Sequence, residues 1–197
     1  GVFTGQGRLM ERPLGPYFDL FDQKGIAYEQ ADGVLTVRGR LTPGTYSLPG
    51  DVSSQFVTGL LYALPLVEGD SLVQITGPLE SRGYVDMTVD VLRRFDVDVR
   101  ETAGGFDAPG RQRFRPCAMA VEADWSQAAF WYAAQMLGSN VEVYGLDSCT
   151  FQGDRILAEY YIRLKKPQDV DMDVSQCPDL VPPLAAMAAV RRGRSRL

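Results

Sequence analysis

Apolar and polar positions recur with two different periods along this chain, and the changes of period divide it into elements. Spacings of three and four predict amphipathic helices over residues 14–24, 85–95 and 155–164. Strict alternation predicts strands over 26–29, 34–37 and 97–100, with a turn at Ala31-Asp32-Gly33 between the first two. A different helix starts at Asp51-Val52-Ser53-Ser54-Gln55, after the break at Pro49-Gly50. Its Phe56, Val57, Leu60, Leu61 and Leu64 are too uniformly apolar for a surface helix, so a buried one is predicted, running on to Gly69. Asp51 or Ser53 can cap its first turn. Small polar side chains and N–H groups at a helix start also suit an anion, and the pattern alone leaves both readings open.

These elements repeat. Thr4-Gly5 returns as Thr76-Gly77 and, more loosely, as Tyr144-Gly145, spaced 72 and then 68 residues, each ahead of an amphipathic helix. Interleaved with this, Asp51-Val52-Ser53 reappears 73 residues later as Asp124-Trp125-Ser126, opening a second apolar helix that runs to Gly138, with Ser126 as its cap. Short strands are predicted after the two apolar helices, at 72–75 and 141–144. Pro178-Asp179-Leu180 starts a third such helix with 184–190 as its apolar body. The unit is β-α-β-β-α-β, about 70 residues long, present twice and then in a shortened form that lacks a strand pair between Lys165 and Cys177. A turn-rich stretch over 104–116 leads to an apolar strand at 118–121. We therefore expect one domain over 1–122 and a second over 123–197, in an α/β (α+β) repeat architecture. Both ends read as interrupted units, so the chain is expected to be a piece of a larger protein.

Composition narrows the chemistry. The 197 residues carry a net charge of −5, which argues against a broad nucleic-acid surface or an anionic membrane as partner. The apolar runs stop short of membrane-spanning length. Cys117, Cys149 and Cys177 are odd in number and widely spaced, which fits a reducing cytoplasm better than a disulfide framework or a zinc site. The chain has no histidine, so Ser-His-Asp and Cys-His pairs are excluded within it; carboxylates, Arg, Lys and hydroxyls must carry any chemistry.

Four motifs, in order, resemble one family. Leu48-Pro49-Gly50-Asp51-Val52-Ser53-Ser54-Gln55-Phe56 is similar to the phosphate-binding helix start of the EPSP synthase (3-phosphoshikimate 1-carboxyvinyltransferase) family. Gly77-Pro78-Leu79-Glu80-Ser81-Arg82-Gly83-Tyr84-Val85-Asp86-Met87-Thr88 resembles its second shikimate-site loop and helix. Glu11-Arg12-Pro13 matches its Arg-Pro pair, and Cys177-Pro178-Asp179 its catalytic-aspartate motif. The resemblance implies a two-domain inside-out α/β barrel of β-α-β-α-β-β repeats or a permuted equivalent, incomplete here. It also implies enolpyruvyl transfer from phosphoenolpyruvate to the 5-hydroxyl of shikimate 3-phosphate, with loss of phosphate. The resemblance further implies that no metal or organic cofactor takes part and that the whole protein is a cytoplasmic monomer.

Position by position, the resemblance assigns Ser53, Ser54 and Ser81 to the shikimate phosphate and Gln55 to a place between the two substrates. It puts Arg12 on phosphoenolpyruvate, Tyr84 beside the shikimate ring, and Asp179 as the base that takes the 5-hydroxyl proton. Arg8 and Arg82 match no role. The family's Lys-Ser and Arg group, its Asn-Ala-Gly-Thr-like loop and its Lys-Glu-x-x-Asp-Arg motif are absent, so the chain by itself is expected to be inactive. Two other readings stand beside this one. An enzyme like UDP-N-acetylglucosamine enolpyruvyl transferase shares the fold and the Arg-Pro pair, and a non-catalytic repeat module would use the capped helices alone.

Overall fold

The alternating segments of the first half pair as two sheets in the computed structural model, which describes residues 1–197. Strands β1 (Val2–Thr4), β2 (Ala27–Ala31) and β3 (Val34–Arg38) form an antiparallel sheet in the order β1-β3-β2. Asp32 and Gly33 join β2 to β3 with φ of 50° and 74°, the pair of positive angles that a two-residue hairpin turn needs. Helix α1 (Gly15–Lys24) lies between β1 and β2 in the chain and stops at Gly25, which is left-handed. The Phe18 and Tyr28 rings stack at 4.4 Å between centroids and fix α1 against β2.

The second sheet has the order β4-β5-β7-β6, made of β4 (Gly44–Pro49), β5 (Ser71–Thr76), β6 (Arg100–Thr102) and β7 (Gly105–Ala108). Strands β4 and β5 are parallel, which requires a crossover, and helix α2 (Ser54–Ala63) supplies it. Tyr46, Leu48, Val57, Leu61, Leu64 and Val73 are all buried at 1% exposure or less, so the uniform apolarity of α2 is explained by its place in the core. Helix α3 (Arg82–Arg94) follows β5.

The chain divides into two compact units, Gly1–Leu79 with Thr88–Cys117, and Glu80–Met87 with Ala118–Leu197. The first turn of α3 therefore belongs to the second unit. There it joins α4 (Trp125–Met136), α5 (Leu157–Leu164) and α6 (Val181–Ala189). Trp125, Ala129, Leu157, Leu164, Leu180, Leu184 and Met187 form the core of this unit. No helix is long and apolar enough to cross a membrane.

Several elements differ from the sequence pattern. Helix α2 ends at Ala63 rather than at Gly69, giving way to a 3-10 turn over Leu64–Leu66. Pro65 has no N–H to continue the ladder, and its ring opposes the carbonyl one turn back. The alternation at 97–100 builds a strand only from Arg100 onward. Ahead of it the Gln112 carboxamide takes both backbone groups of Asp98, accepting from its N–H at 2.7 Å and donating to its carbonyl at 2.8 Å. A side chain thus replaces a neighbouring strand.

The segments at 118–121 and 141–144 belong to no sheet, whereas β7 lies inside the stretch that read as turns. Between Lys165 and Cys177 the third unit holds a single short strand, β8 (Val170–Asp171), whose parallel partner β9 (Ser195–Arg196) comes from beyond α6. Arg191 makes this possible. Its guanidinium donates to the carbonyls of Leu164 at 2.8 Å and Lys166 at 2.6 Å, and to the Ser195 hydroxyl at 2.8 Å, tying the basic end to the close of α5.

Candidate functional site

The first unit gathers polar groups where β4 and β5 end side by side. Pro49 pairs with Thr76, and the Gly50 N–H donates to the Thr76 carbonyl at 2.9 Å. A Cβ on Gly50 would lie 2.4 Å from the Pro78 carbonyl oxygen, so the two departing loops touch backbone to backbone. From this point α2 begins. Ser53 is its cap: the residue is extended, and its Oγ accepts from the Gln55 N–H at 3.2 Å, while Asp51 is exposed. Ser54 is buried in the first turn and Gln55 faces solvent. A serine pair and a carboxamide thus sit at the positive end of a helix, at the carboxyl ends of two parallel strands, where α/β sheets bind ligands.

Arg12 is also in the first unit, just beyond a 3-10 helix over Gly7–Glu11. It is exposed and forms no ion pair, and no bond joins it to the α2 residues.

The second unit holds the remaining candidates. Ser81 precedes α3 in the left-handed region with φ of 52°, and its carbonyl accepts from the Tyr84 N–H at 3.1 Å. The Tyr84 phenol donates to Asp154 Oδ2 at 2.6 Å, and Asp179 Oδ2 lies 3.5 Å from the same hydroxyl. Ser126 Oγ is 3.3 Å from the phenol and also bonds to Asp154 Oδ2. Burial pushes the Tyr84 phenol well above its ordinary range and the bond to Asp154 adds to this, while Ser126 pulls the other way. The structure therefore brings Tyr84 and Asp179 together in the second unit, while Ser53, Ser54 and Gln55 belong to the first.

One assignment changes at this point, and one residue is added. Ser126 is not the cap of α4; Asp124 is, its carboxylate accepting from the Gln127 N–H at 3.1 Å. That releases the Ser126 hydroxyl to meet Tyr84 and Asp154. Asp154 itself escaped the sequence reading, which began the helix one residue later. The signal that could have found it is Gln152-Gly153-Asp154, a polar triplet with a glycine directly ahead of an amphipathic helix. Cys177, next to the Pro178-Asp179 pair, is buried, and burial followed by the nearby Asp154 and Asp173 pushes its thiol up to about 11. It is a thiol rather than a thiolate at neutral pH, and unsuited to act as a nucleophile.

Comparison with known proteins gives the family. The family model for EPSP synthase (3-phosphoshikimate 1-carboxyvinyltransferase) matches residues 1–197. The chain is 40% identical to the 3-phosphoshikimate 1-carboxyvinyltransferase of Clostridium acetobutylicum, covering 100% of this chain and 50% of that protein. Identity to the enzyme of the same name from Clostridium kluyveri is 43%, again over 100% of this chain and 50% of the relative. The chain spans about half the length of the curated relatives it matches.

Among solved structures, the EPSP synthase of Acinetobacter baumannii superposes with a TM-score of 0.54 at 25% identity, over 68% of this chain and 30% of that one. The enolpyruvyl transferase NikO of Streptomyces tendae reaches a TM-score of 0.64 over 93% of this chain and 52% of its own, and at 18% identity speaks for the fold alone. With the family model matched from end to end and the α/β fold shared with these transferases, the chain belongs to the EPSP synthase family.

Proposed function

We propose that this chain serves the transfer of the enolpyruvyl group from phosphoenolpyruvate to the 5-hydroxyl of shikimate 3-phosphate. The observation that carries this reading is the family match over all 197 residues, which includes every motif quoted above. In the proposed reaction the 5-hydroxyl oxygen attacks C2 of the enolpyruvyl group while C3 takes a proton. The tetrahedral adduct then expels phosphate and loses the proton at C3. Such a reaction needs positioned acids, bases and cations rather than a covalent enzyme intermediate.

Ser53, Ser54 and Ser81 are assigned to the phosphate of shikimate 3-phosphate, since hydroxyls and helix N–H groups donate to phosphate oxygens with little steric demand. The exposed carboxamide of Gln55 reaches toward both substrates. Arg12 offers phosphoenolpyruvate a planar pair of donors, and its unpaired, exposed guanidinium leaves that fork available. Asp179, exposed and beside the Tyr84 hydroxyl, is the acceptor for the 5-hydroxyl proton, with Tyr84 against the ring. The chain spans only half the length of its relatives, and it lacks the family's Lys-Glu-x-x-Asp-Arg motif, so the 197 residues alone are proposed to bind without turnover.

Titration calorimetry with shikimate 3-phosphate tests the reading. Weak saturable binding is expected, reduced at least about tenfold in Ser54→Ala, because a hydrogen bond to a charged group is lost. Chemical-shift changes confined to residues far from 53–55 and 81 would overturn the assignment, and phosphate release by the isolated chain would overturn the claim of inactivity.

A further inference from the structure

Asp154 is 1% exposed, which is unusual for a carboxylate and calls for partners. It has them on one oxygen only. Oδ2 meets the hydroxyls of Tyr84 and Ser126, and no protein group donates to Oδ1. The three side chains come from three helix starts: Tyr84 from the first turn of α3, Ser126 from the first turn of α4, and Asp154 from the 3-10 turn Gly153–Ile156 that leads into α5. The backbone is shaped for the meeting, since a Cβ on Gly83 would lie 2.8 Å from the Gly153 nitrogen and 3.0 Å from the Phe151 carbonyl oxygen. A side chain at 83 would push α3 away from the segment that carries Asp154.

A phenol has one proton to give. Two carboxylates compete for that of Tyr84, Asp154 at 2.6 Å and Asp179 at 3.5 Å. The first is a short charge-assisted bond and the second lies at the limit of hydrogen-bond range, so distance decides for Asp154. We infer that Asp154 is a positioning residue: it holds the proton of Tyr84, fixing the phenol ring and leaving the Asp179 carboxylate without a competing donor. The consequence for substrate rests on the function proposed above, in which Tyr84 lies against the shikimate ring and Asp179 receives the 5-hydroxyl proton. The grip of Asp154 on Tyr84 stands apart from that reading.

The test uses the 197-residue chain labelled with 13C at the tyrosine Cζ, with the Tyr84 signal assigned from Tyr84→Phe. Wild-type Tyr84 should titrate above the ordinary value of about 10. In Asp154→Asn its midpoint should fall by about one pH unit or more, because the carboxylate is gone while burial remains. In Ser126→Ala it should rise, because the opposing hydroxyl is removed and Tyr84 becomes the sole donor to Oδ2. This second variant decides the matter if Asp154→Asn does not fold. A Tyr84 midpoint unmoved by either substitution overturns the inference.

Calorimetry with shikimate 3-phosphate then separates positioning from general damage. Asp154→Asn should weaken binding about tenfold, and Asp154→Asn combined with Tyr84→Phe should be no weaker than Tyr84→Phe alone, because the aspartate acts through the phenol. Additive losses would mark Asp154 as merely structural and overturn its positioning role. If the wild-type chain fails to bind while the Tyr84 midpoint moves as described, the proposed function fails and the grip of Asp154 on Tyr84 stands.

Discussion

Ser53 and Asp124 show how one capping pattern is used in two ways. Asp-x-Ser opens both apolar helices, but α2 is capped by the serine and α4 by the aspartate, two residues earlier in the motif. The difference decides what the other residue does. Asp51 is left exposed at the first helix, whereas Ser126 is drawn inward to Asp154 at the second. Asp124→Ala should therefore cost about 1 kcal/mol of stability, the usual price of losing such a cap, measured from the urea midpoint of the chain. Asp51→Ala should change the midpoint little, because the α2 cap is Ser53. Equal losses at the two aspartates would contradict the assignment.

At the level of elements, the parallel pair β4–β5 and its crossover α2 set the position of the hydroxyl group in the first unit. The close contact of Gly50 with Pro78 fixes the two strand exits, and through them the start of α2. Gly50→Ala is expected to destabilise the chain by about 1–3 kcal/mol, as overpacking against backbone does, and to move the amide signals of 50–55 and 76–79 together. Signals that move at 50–55 alone would mean that the loops are independent.

Boundaries in this region follow local chemistry that tertiary contacts can overrule. Pro65 ends α2 by its own covalent structure, and that break was present in the sequence, although the apolar run continues past it. The alternation at Val97 and Val99 records burial correctly, since both are buried, yet Gln112 satisfies the backbone there in place of a strand. Period alone reports which side chains face inward. It does not report what pairs with the backbone.

Taken as a whole, the molecule buries tyrosines whose protonation is linked to folding. Burial raises Tyr17, Tyr46 and Tyr84 above their ordinary range. The folded chain thus holds phenol protons that the unfolded chain releases above about pH 10, and deprotonation stabilises the unfolded state. Stability should be fully present below pH 10 and should fall as the pH rises beyond it, which urea unfolding at pH 8 and at pH 10.5 would measure. A midpoint that rises between these values would be incompatible with the burial of the three phenols.

The family, the α/β class and the repeat of helix starts were all legible in the amino-acid sequence. They depend on local period, on capping residues and on short motifs such as Ser53-Ser54-Gln55 and Pro178-Asp179, whose spacing is written along the chain. The polar triplet ending at Asp154 was visible, but the role of Asp154 was not, because it lies in contacts with residues 70 and 28 positions away along the chain. The same holds for the β8–β9 pair, which depends on Arg191 reaching back to the end of α5. The sequence determined which residues could donate, accept or cap. Only the tertiary structure decided which of two carboxylates takes the proton of Tyr84, because that choice turns on a difference of less than an ångström between groups brought together by folding.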